Sequence, residues 1–256
     1  MTDLFNLYGK VAIVTGGNSG IGKSIARGLA SMGANIVVAA RNEFKTKETV
    51  HEIHAEFGNK VIGIRVDVQK EEQIRNLAAK TLEAFGRIDI LVNNAGMNIR
   101  KFPQDYKVVE WDEIINTNLR SAFVCSQEAY PIMKTIGGGK IINIGSMLSI
   151  FGGAQLAPYG SSKGGIVQLT RSLAVAWAPD NIQVNAILPG YINTDLTRQA
   201  RKDIPKLEQS IIDRTPLGRW GEPDDLSGTA IFLASRASDF VTGVALPVDG
   251  GFSVMV

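Results

Sequence analysis

The sequence is poor in the residues that cross-link secreted proteins or bind metals. Its 256 residues include one cysteine, Cys125, and two histidines, His51 and His54. A single cysteine cannot form an intrachain disulfide, and its apolar neighbours indicate a small buried side chain. The histidines lie three residues apart among lysines and glutamates, with no further ligand type nearby. We therefore expect no metal site, and a reducing compartment, the cytoplasm, as the location.

Long apolar runs and a strong charge of either sign are also missing. No stretch approaches the ~20 apolar residues that cross a bilayer. The first eight residues contain Asp3 and lack both the basic start and the apolar block of a signal peptide. The formal net charge is +2, and no basic tract is present. These absences argue against a membrane or nucleic-acid partner.

What the sequence contains is a regular alternation of short apolar segments with longer helical ones. Strands are predicted near 10–15, 35–40, 60–66, 88–93, 139–145, 181–188 and 243–248, and helices at about 20–32, 43–57, 70–85, 107–136, 157–178 and 223–235. This alternation predicts an α/β fold, a doubly wound parallel β-sheet of about seven strands with helices on both faces. With 45% hydrophobic residues, the chain can form one domain over residues 1–256.

One segment, residues 190–221, does not follow the alternation. It comes after a predicted strand, carries mixed charge and is long for a loop, although it can hold a short helix. Long loops in compact domains are often functional. We therefore expect a lid over a substrate site at about 190–221.

A glycine-rich turn separates the first predicted strand from the first helix. Gly16, Gly20 and Gly22 let the backbone turn sharply and approach a pyrophosphate, and the following helix offers unpaired N–H groups and a positive dipole end. The spacing differs from the commoner G-x-G-x-x-G fingerprint, and such a turn alone can be a simple strand-to-helix loop. Its position between a strand and a helix favours a phosphate cradle.

Tyr159 and Lys163 lie four residues apart in a predicted helix and therefore share one face. A phenol ordinarily titrates near pH ~10, and we expect the ammonium to lower that pKa. Ser146, at the end of an apolar run, can donate a hydrogen bond to a substrate oxygen. A Tyr and a Lys at this spacing also occur by chance on surface helices. Together, the three residues predict an apparatus for proton transfer.

The chain resembles the short-chain dehydrogenase/reductase (SDR) family over nearly its whole length. The motifs that carry the resemblance are Thr15-Gly16-x-x-x-Gly20-x-Gly22, Asp67, Asn93-Asn94-Ala95-Gly96, Asn118, Ser146, Tyr159-x-x-x-Lys163, Pro189-Gly190 and Val248-Asp249-Gly250-Gly251. The resemblance implies a Rossmann fold and an NAD(P)-dependent oxidoreductase. Such an enzyme transfers a hydride reversibly between nicotinamide and a ketone or secondary alcohol.

The resemblance also implies roles for individual residues. Tyr159 would be the acid or base, and Ser146 would orient the carbonyl. Lys163 would hold the nicotinamide ribose, and Asn118 would help position a water that connects the lysine to solvent. These four are the expected catalytic residues.

Cofactor contacts are implied in the same way. The expected residues are Gly16, Asn18, Ser19, Gly20, Ile21, Gly22, Arg41, Asn42, Asp67, Val68, Asn94, Ala95, Gly96, Tyr159, Lys163, Pro189, Gly190, Ile192 and Thr194. Asp67 would bind the adenine amino group, although an Asp that opens a helix is equally often a cap. Asn94 belongs to a segment that is mainly structural in the family. Thr194 and the backbone of Ile192 would meet the nicotinamide end.

The end of the second predicted strand bears on the choice between NADP and NAD. Ala40 stands where NAD-preferring relatives usually carry an Asp, and the Arg41 guanidinium can pair with a 2′-phosphate. Asn18 and Ser19 stand where many NADP-preferring relatives carry a second basic residue. We expect a preference for NADP, with NAD and a plain surface arginine as the alternatives.

The substrate is less clearly indicated. Arg100 and Lys101 follow the Asn-Asn-Ala-Gly turn, as in the gluconate and deoxygluconate dehydrogenase branch, and could meet a sugar-acid carboxylate; solvated loop charges are the alternative. The pocket should draw on residues 147–155 and on the lid. A small-molecule sugar or sugar acid is favoured over a 3-oxoacyl-[acyl-carrier-protein] substrate or another ketone. A non-catalytic NAD(P)-sensing protein and a sugar-nucleotide epimerase are the other classes considered.

The predicted helices at 108–133 and 159–177 are apolar over much of their circumference, so a second subunit could cover their outer faces. The family resemblance implies a homotetramer built on these helices and on the strand at 244–248.

Overall fold

The computed structural model describes residues 2–255 and places seven strands in one all-parallel sheet. The strands are β1 (Val11–Thr15), β2 (Asn35–Ala40), β3 (Val61–Arg65), β4 (Ile90–Asn93), β5 (Gly139–Ile144), β6 (Ile182–Pro189) and β7 (Ala245–Val248). Their order across the sheet is β3-β2-β1-β4-β5-β6-β7. The predicted doubly wound parallel sheet is confirmed.

Helices connect the strands and cover both faces. They are α1 (Gly20–Ser31), α2 (Glu43–Phe57), α3 (Glu71–Phe85), α4 (Val108–Ile115), α5 (Ser121–Thr135), α6 (Ala157–Trp177), α7 (Asp195–Asp203), α8 (Leu207–Arg214) and α9 (Ser227–Ala234). Within residues 2–255, none of them has both the length and the hydrophobicity of a membrane span.

Two predicted elements differ from the structure. The single helix expected at about 107–136 is α4 and α5 joined by a π-helical turn, Asn116–Arg120, which a hydrophobic pattern does not reveal because the helix axis continues through it. The segment 190–221, expected to hold one short helix, contains both α7 and α8.

The core forms two layers because side chains alternate along each strand. Ala12 and Val14 of β1 belong to the apolar cluster that includes α1 and α9. Val11 and Ile13 belong to the opposite cluster, which includes α3 and α5. Both faces of β1 are therefore buried, and this explains the uninterrupted apolar run in its sequence.

The strand order reverses direction between β1 and β4. The chain moves outward from β1 through β2 to β3, then returns to the other side of β1 at β4. The connections therefore diverge at the carboxyl ends of these two strands and leave a crevice there, the usual ligand position in open α/β sheets.

Candidate active site

A cavity of about 360 Å³ opens at the carboxyl ends of the central strands. Its walls come from the turn after β1, the segment after β4, the loop after β5, helix α6 and the segment after β6. The lining residues are Gly16, Ser19, Gly20, Ile21, Asn94, Ala95, Gly96, Met97, Ile144, Gly145, Ser146, Tyr159, Lys163, Pro189, Gly190, Ile192, Thr194, Asp195 and Thr197. Segments far apart in sequence thus meet at one sheet edge.

The glycine turn adopts a backbone that other residues would not tolerate. Gly16 and Gly20 have φ values of 63° and 49°, in the left-handed region. A Cβ on Gly22 would lie 2.3 Å from Asn94 Nδ2 and 2.4 Å from the Gly16 oxygen. Helix α1 begins at Gly20, and Ser19 makes no side-chain cap. The turn and the uncapped helix end fit a dinucleotide pyrophosphate.

Asn94 holds the ends of β1 and β4 together beneath this turn. Its Nδ2 donates to the backbone oxygens of Thr15 at 2.9 Å and Gly16 at 3.2 Å. The Thr15 hydroxyl accepts from the backbone N–H groups of Asn94 at 3.0 Å and Ala95 at 3.1 Å. The side chain of Asn94 therefore fixes the floor of the cavity and supports the glycine turn.

Ser146 and Tyr159 both line the cavity. Ser146 follows β5, and Tyr159 lies in the first turn of α6, which Pro158 helps to start. Burial raises the pKa of Tyr159, and the hydrogen bond from Ser146 acts in the opposite direction. The phenol is thus protonated at neutral pH, and the Ser146 hydroxyl lines the same cavity.

Lys163 does not lower the pKa of Tyr159, so that expectation is wrong for this structure. The Lys163 ammonium lies 5.8 Å from the centre of the Tyr159 ring and donates instead to the backbone oxygen of Ile144 at 2.7 Å. Burial has the largest effect on the pKa of both groups. It raises the pKa of Tyr159 and lowers the pKa of Lys163 to about 8.

Asn118 lies in the π-helical turn, and its carboxamide clamps the segment after β4. Its Oδ1 accepts from the Met97 N–H at 2.8 Å, while its Nδ2 donates to the Met97 oxygen at 2.9 Å and to Ser162 Oγ at 3.0 Å. A Cβ on Gly96 would lie 3.4 Å from Asn118 Oδ1 and 3.6 Å from Lys163 Nζ. Asn118 therefore lies beside the lysine, but both of its amide hydrogens are already in use.

A second cavity of about 410 Å³ shares Ser146, Tyr159, Gly190 and Thr197 with the first. Its remaining lining residues are Asn98, Arg100, Met147, Leu148, Leu156, Tyr191 and Ala200. The hydroxyls of Ser146 and Tyr159 thus lie where the two cavities meet. Arg100 lines this second cavity, whereas the Lys101 ammonium is paired with Glu110.

The whole chain is similar to known oxidoreductases. The family model described as enoyl-(acyl carrier protein) reductase matches residues 16–253. The chain is 44% identical to a 2-dehydro-3-deoxy-D-gluconate 5-dehydrogenase of Dickeya dadantii over 97% of each protein. It is 38% identical to a gluconate 5-dehydrogenase of Gluconobacter oxydans over 98% of each.

A comparison with solved structures agrees with these sequence matches. A gluconate 5-dehydrogenase of Burkholderia cenocepacia, solved in complex with NADP and tartrate, superposes with a TM-score of 0.95 at 40% identity, covering 100% of this chain and 99% of that one. The protein belongs to the short-chain dehydrogenase/reductase family. The expected resemblance to the gluconate and deoxygluconate dehydrogenase branch is confirmed.

Several expected family positions lie outside the 360 Å³ cavity. Asn18 Nδ2 donates to the Asn42 oxygen and to Thr46 Oγ1, both at 3.1 Å, and Asn42 caps α2. The side chains of Asp67 and Val68 face a local turn and the core, respectively. Asp67 Oδ1 accepts from Gln69 N–H at 3.1 Å, which is a turn contact. Val68 is buried, and Arg41 is exposed at the end of β2. Gly22 packs beneath the turn against Asn94.

The sequence reasoning missed five residues that line the cavity: Met97, Ile144, Gly145, Asp195 and Thr197. Each directly adjoins a recognised motif or lies within a few residues of one. Ile144 and Gly145 connect the end of β5 to Ser146, Met97 follows Gly96, and Asp195 and Thr197 follow Thr194 in the first turn of α7.

Proposed function

We propose that this protein is an NADP-preferring dehydrogenase that acts reversibly at C5 of a six-carbon sugar acid. The observation that carries the proposal is that Ser146 and Tyr159 line both cavities, at the place where the two meet. One cavity contains the glycine turn, and the other contains Arg100. The names of the Dickeya and Gluconobacter relatives, both 5-dehydrogenases, support C5 as the reacting carbon.

The chemistry follows from the two hydroxyls. A bound nicotinamide supplies or accepts the hydride. In reduction, Tyr159 donates its proton to the substrate oxygen as negative charge develops there, and Ser146 stabilises that oxygen with a hydrogen bond. Lys163, with a pKa of about 8, is largely protonated at neutral pH and would hold the nicotinamide ribose. In oxidation, Tyr159 removes the proton from the alcohol.

The residues on the cofactor side suit a dinucleotide with a 2′-phosphate. The glycine turn, with Ser19 and Ile21, would hold the pyrophosphate. Within residues 2–255, the exposed Arg41 side chain has no ion pair, and the neighbouring Ala40 adds no carboxylate. An exposed guanidinium without an ion pair can bind a 2′-phosphate. NADP in the Burkholderia relative supports this preference.

The remaining cofactor and catalytic assignments are part of the proposal. Asp67 and Val68 would border the adenine, with Asn18 and Asn42 nearby. The other contacts would come from Asn94, Ala95, Gly96, Lys163, Pro189, Gly190, Ile192 and Thr194, all of which line the cavity. Asn118 would act by positioning the segment at Met97.

Arg100 is the proposed partner of the substrate carboxylate. Lys101 forms a salt bridge with Glu110, whereas Arg100 has no ion pair among the described residues. Arg100 also lines the cavity that Ser146 and Tyr159 line. A guanidinium binds a carboxylate with paired hydrogen bonds. Tyr191 belongs to the segment 190–221 and lines the same cavity. We therefore propose that this segment is the lid of the substrate site, and that the whole chain forms one domain.

The test is NADPH oxidation with 5-dehydro-D-gluconate, 2,5-didehydro-3-deoxy-D-gluconate, a 3-oxoacyl thioester and a cyclic ketone. We expect one of the two sugar acids to be the best substrate. Tyr159→Phe should lose about 10²-fold or more in kcat while still binding NADPH, and Tyr8→Phe, at an exposed position, serves as the control. A higher kcat/KM for the thioester, or near-normal turnover by Tyr159→Phe, would contradict the proposal.

We also propose a cytoplasmic homotetramer. Large apolar side chains are exposed on α4, α5 and α6, among them Val109, Trp111, Phe123 and Val175. Phe240, before β7, is fully exposed as well. Apolar surface of this kind is typical of subunit contacts. Sedimentation should give a tetramer, and a stable monomer at micromolar concentration would refute it.

A further inference from the structure

The carboxamide of Asn98 lies on the wall of the 410 Å³ cavity without a protein partner. Its Oδ1 is buried and accepts no hydrogen bond within residues 2–255. Buried polar atoms are nearly always paired, because an unpaired one loses its hydration without compensation. An unpaired amide at this place therefore requires an explanation.

The backbone on both sides of Asn98 is fixed. Met97 is clamped by Asn118 through both its N–H and its oxygen. The Ile99 oxygen accepts from the Tyr106 hydroxyl at 2.5 Å, and the Lys101 N–H donates to the Gln155 oxygen at 3.2 Å. With these anchors, the backbone holds Asn98 at the cavity wall before any substrate arrives, which lowers the entropic cost of a contact.

We propose that Asn98 determines specificity by binding a hydroxyl of the substrate carbon chain. The inference rests on the proposed function. The reacting carbon lies at Ser146 and Tyr159, the carboxylate lies at Arg100, and Asn98 lines the same cavity two residues before Arg100. A hydroxyl both donates and accepts a hydrogen bond, and so does a carboxamide. The Asn98 oxygen has almost no solvent-accessible surface, so the side chain must turn its carboxamide toward the cavity, where a chain hydroxyl between C5 and the carboxylate pairs with it.

The experiment compares two C5 ketones that differ in their hydroxyls. The first is whichever sugar acid, 5-dehydro-D-gluconate or 2,5-didehydro-3-deoxy-D-gluconate, the wild type reduces faster. The second is 5-oxohexanoate, which keeps the carboxylate and the C5 ketone but carries no hydroxyl. Asn98→Leu, a change of similar volume, should lower the ratio of the two kcat/KM values by about 10-fold or more, because a site built to bind a hydroxyl discriminates strongly by it.

Two further measurements separate this role from a structural one. Asn98→Leu should keep or raise Tm, because it removes a buried oxygen that has no partner. Arg100→Ala should lower kcat/KM for both ketones, since both carry the carboxylate. Asn76→Leu, at an exposed position on α3, is the matched control and should change neither the ratio nor Tm.

The outcomes are distinct. If the wild type reduces neither sugar acid, the proposed function fails and this inference fails with it. If the wild type reduces one of them but Asn98→Leu keeps the wild-type ratio, the inference alone is overturned. A fall in Tm together with equal losses for both ketones would assign Asn98 a structural role and also overturn it.

Discussion

The Lys163 ammonium donates a hydrogen bond to the backbone oxygen of Ile144, the last residue of β5, at 2.7 Å. This contact ties helix α6 to the end of the strand that leads to Ser146. It also keeps a cation, buried to all but 4% of its surface, beneath the cavity. The Lys163 side chain thus links the helix that carries Tyr159 to the strand that precedes Ser146.

The buried lysine should make stability depend on pH in the alkaline range. Burial lowers the pKa of Lys163 from 10.5 to about 8, so between these values the unfolded chain binds more protons than the folded one. Stability must then rise with pH across that window. Relative to Lys163→Met, the wild type should gain up to about 3 kcal/mol. Urea unfolding of both proteins without cofactor, at about pH 7 and about pH 10, measures the change. A constant difference would show that the lysine is not desolvated.

Arg41 should control the cofactor preference. Arg41→Ala removes the cation proposed for the 2′-phosphate, so KM for NADPH should rise by about 10-fold or more, while KM for NADH changes little. Steady-state kinetics with both cofactors gives the answer. Arg27→Ala, which breaks an exposed pair with Glu56, is the control. Equal or better efficiency with NADH in the wild type would remove the basis for the preference.

Gly22 and Gly228 offer a matched pair of helical glycines. Ala at position 22 would press a methyl group into Asn94 and the Gly16 oxygen, so Gly22→Ala should lower Tm and weaken NADPH binding by about 10-fold or more. Gly228, on α9, has open space where its Cβ would stand. Gly228→Ala should instead raise stability by about 0.5–1 kcal/mol. Thermal unfolding and NADPH fluorescence titration test both, and tight binding by Gly22→Ala would mean that the turn can relax.

Asp89 is expected to be the most costly carboxylate to remove. At the amino-terminal edge of the sheet, it accepts from Arg87 at 2.6 and 2.7 Å, from the Val11 N–H at 3.0 Å and from Lys10 at 3.1 Å. Asp89→Ala would leave a buried N–H and a guanidinium without a partner, at about 2–4 kcal/mol. Chemical denaturation measures the loss, with exposed Asp105→Ala as the control. A loss below about 1 kcal/mol would show that water replaces the carboxylate.

Most of the fold follows from local patterns. Strands such as β1 and β2 are apolar without interruption, and a run of that kind predicts a strand buried on both faces. The π-helical turn at Asn116–Arg120 does not follow from such a pattern. Within it, the carboxamide of Asn118 is hydrogen-bonded to the backbone of Met97, a residue of another segment. A contact of this kind depends on tertiary structure and leaves no local pattern.

In the candidate site, too, some features follow from local motifs and others only from tertiary contacts. Glycine spacing and the Tyr-Lys pair predict a dinucleotide crevice and a proton donor, because both are local motifs with a direct physical meaning. The separation of Arg100 from Lys101 is a tertiary result: the two cations are equivalent in sequence, but Glu110 pairs with one and leaves the other at the cavity.

The amino-acid sequence by itself determined the strands, the glycine turn and the side chains available to the cavity, since each is a local property of the chain. The tertiary structure decided the protonation of those groups and the partners of Asn98, Arg100 and Lys163. Burial and pairing depend on what other segments bring into contact, and desolvation at a packed site outweighs the pull of a charge one helical turn away.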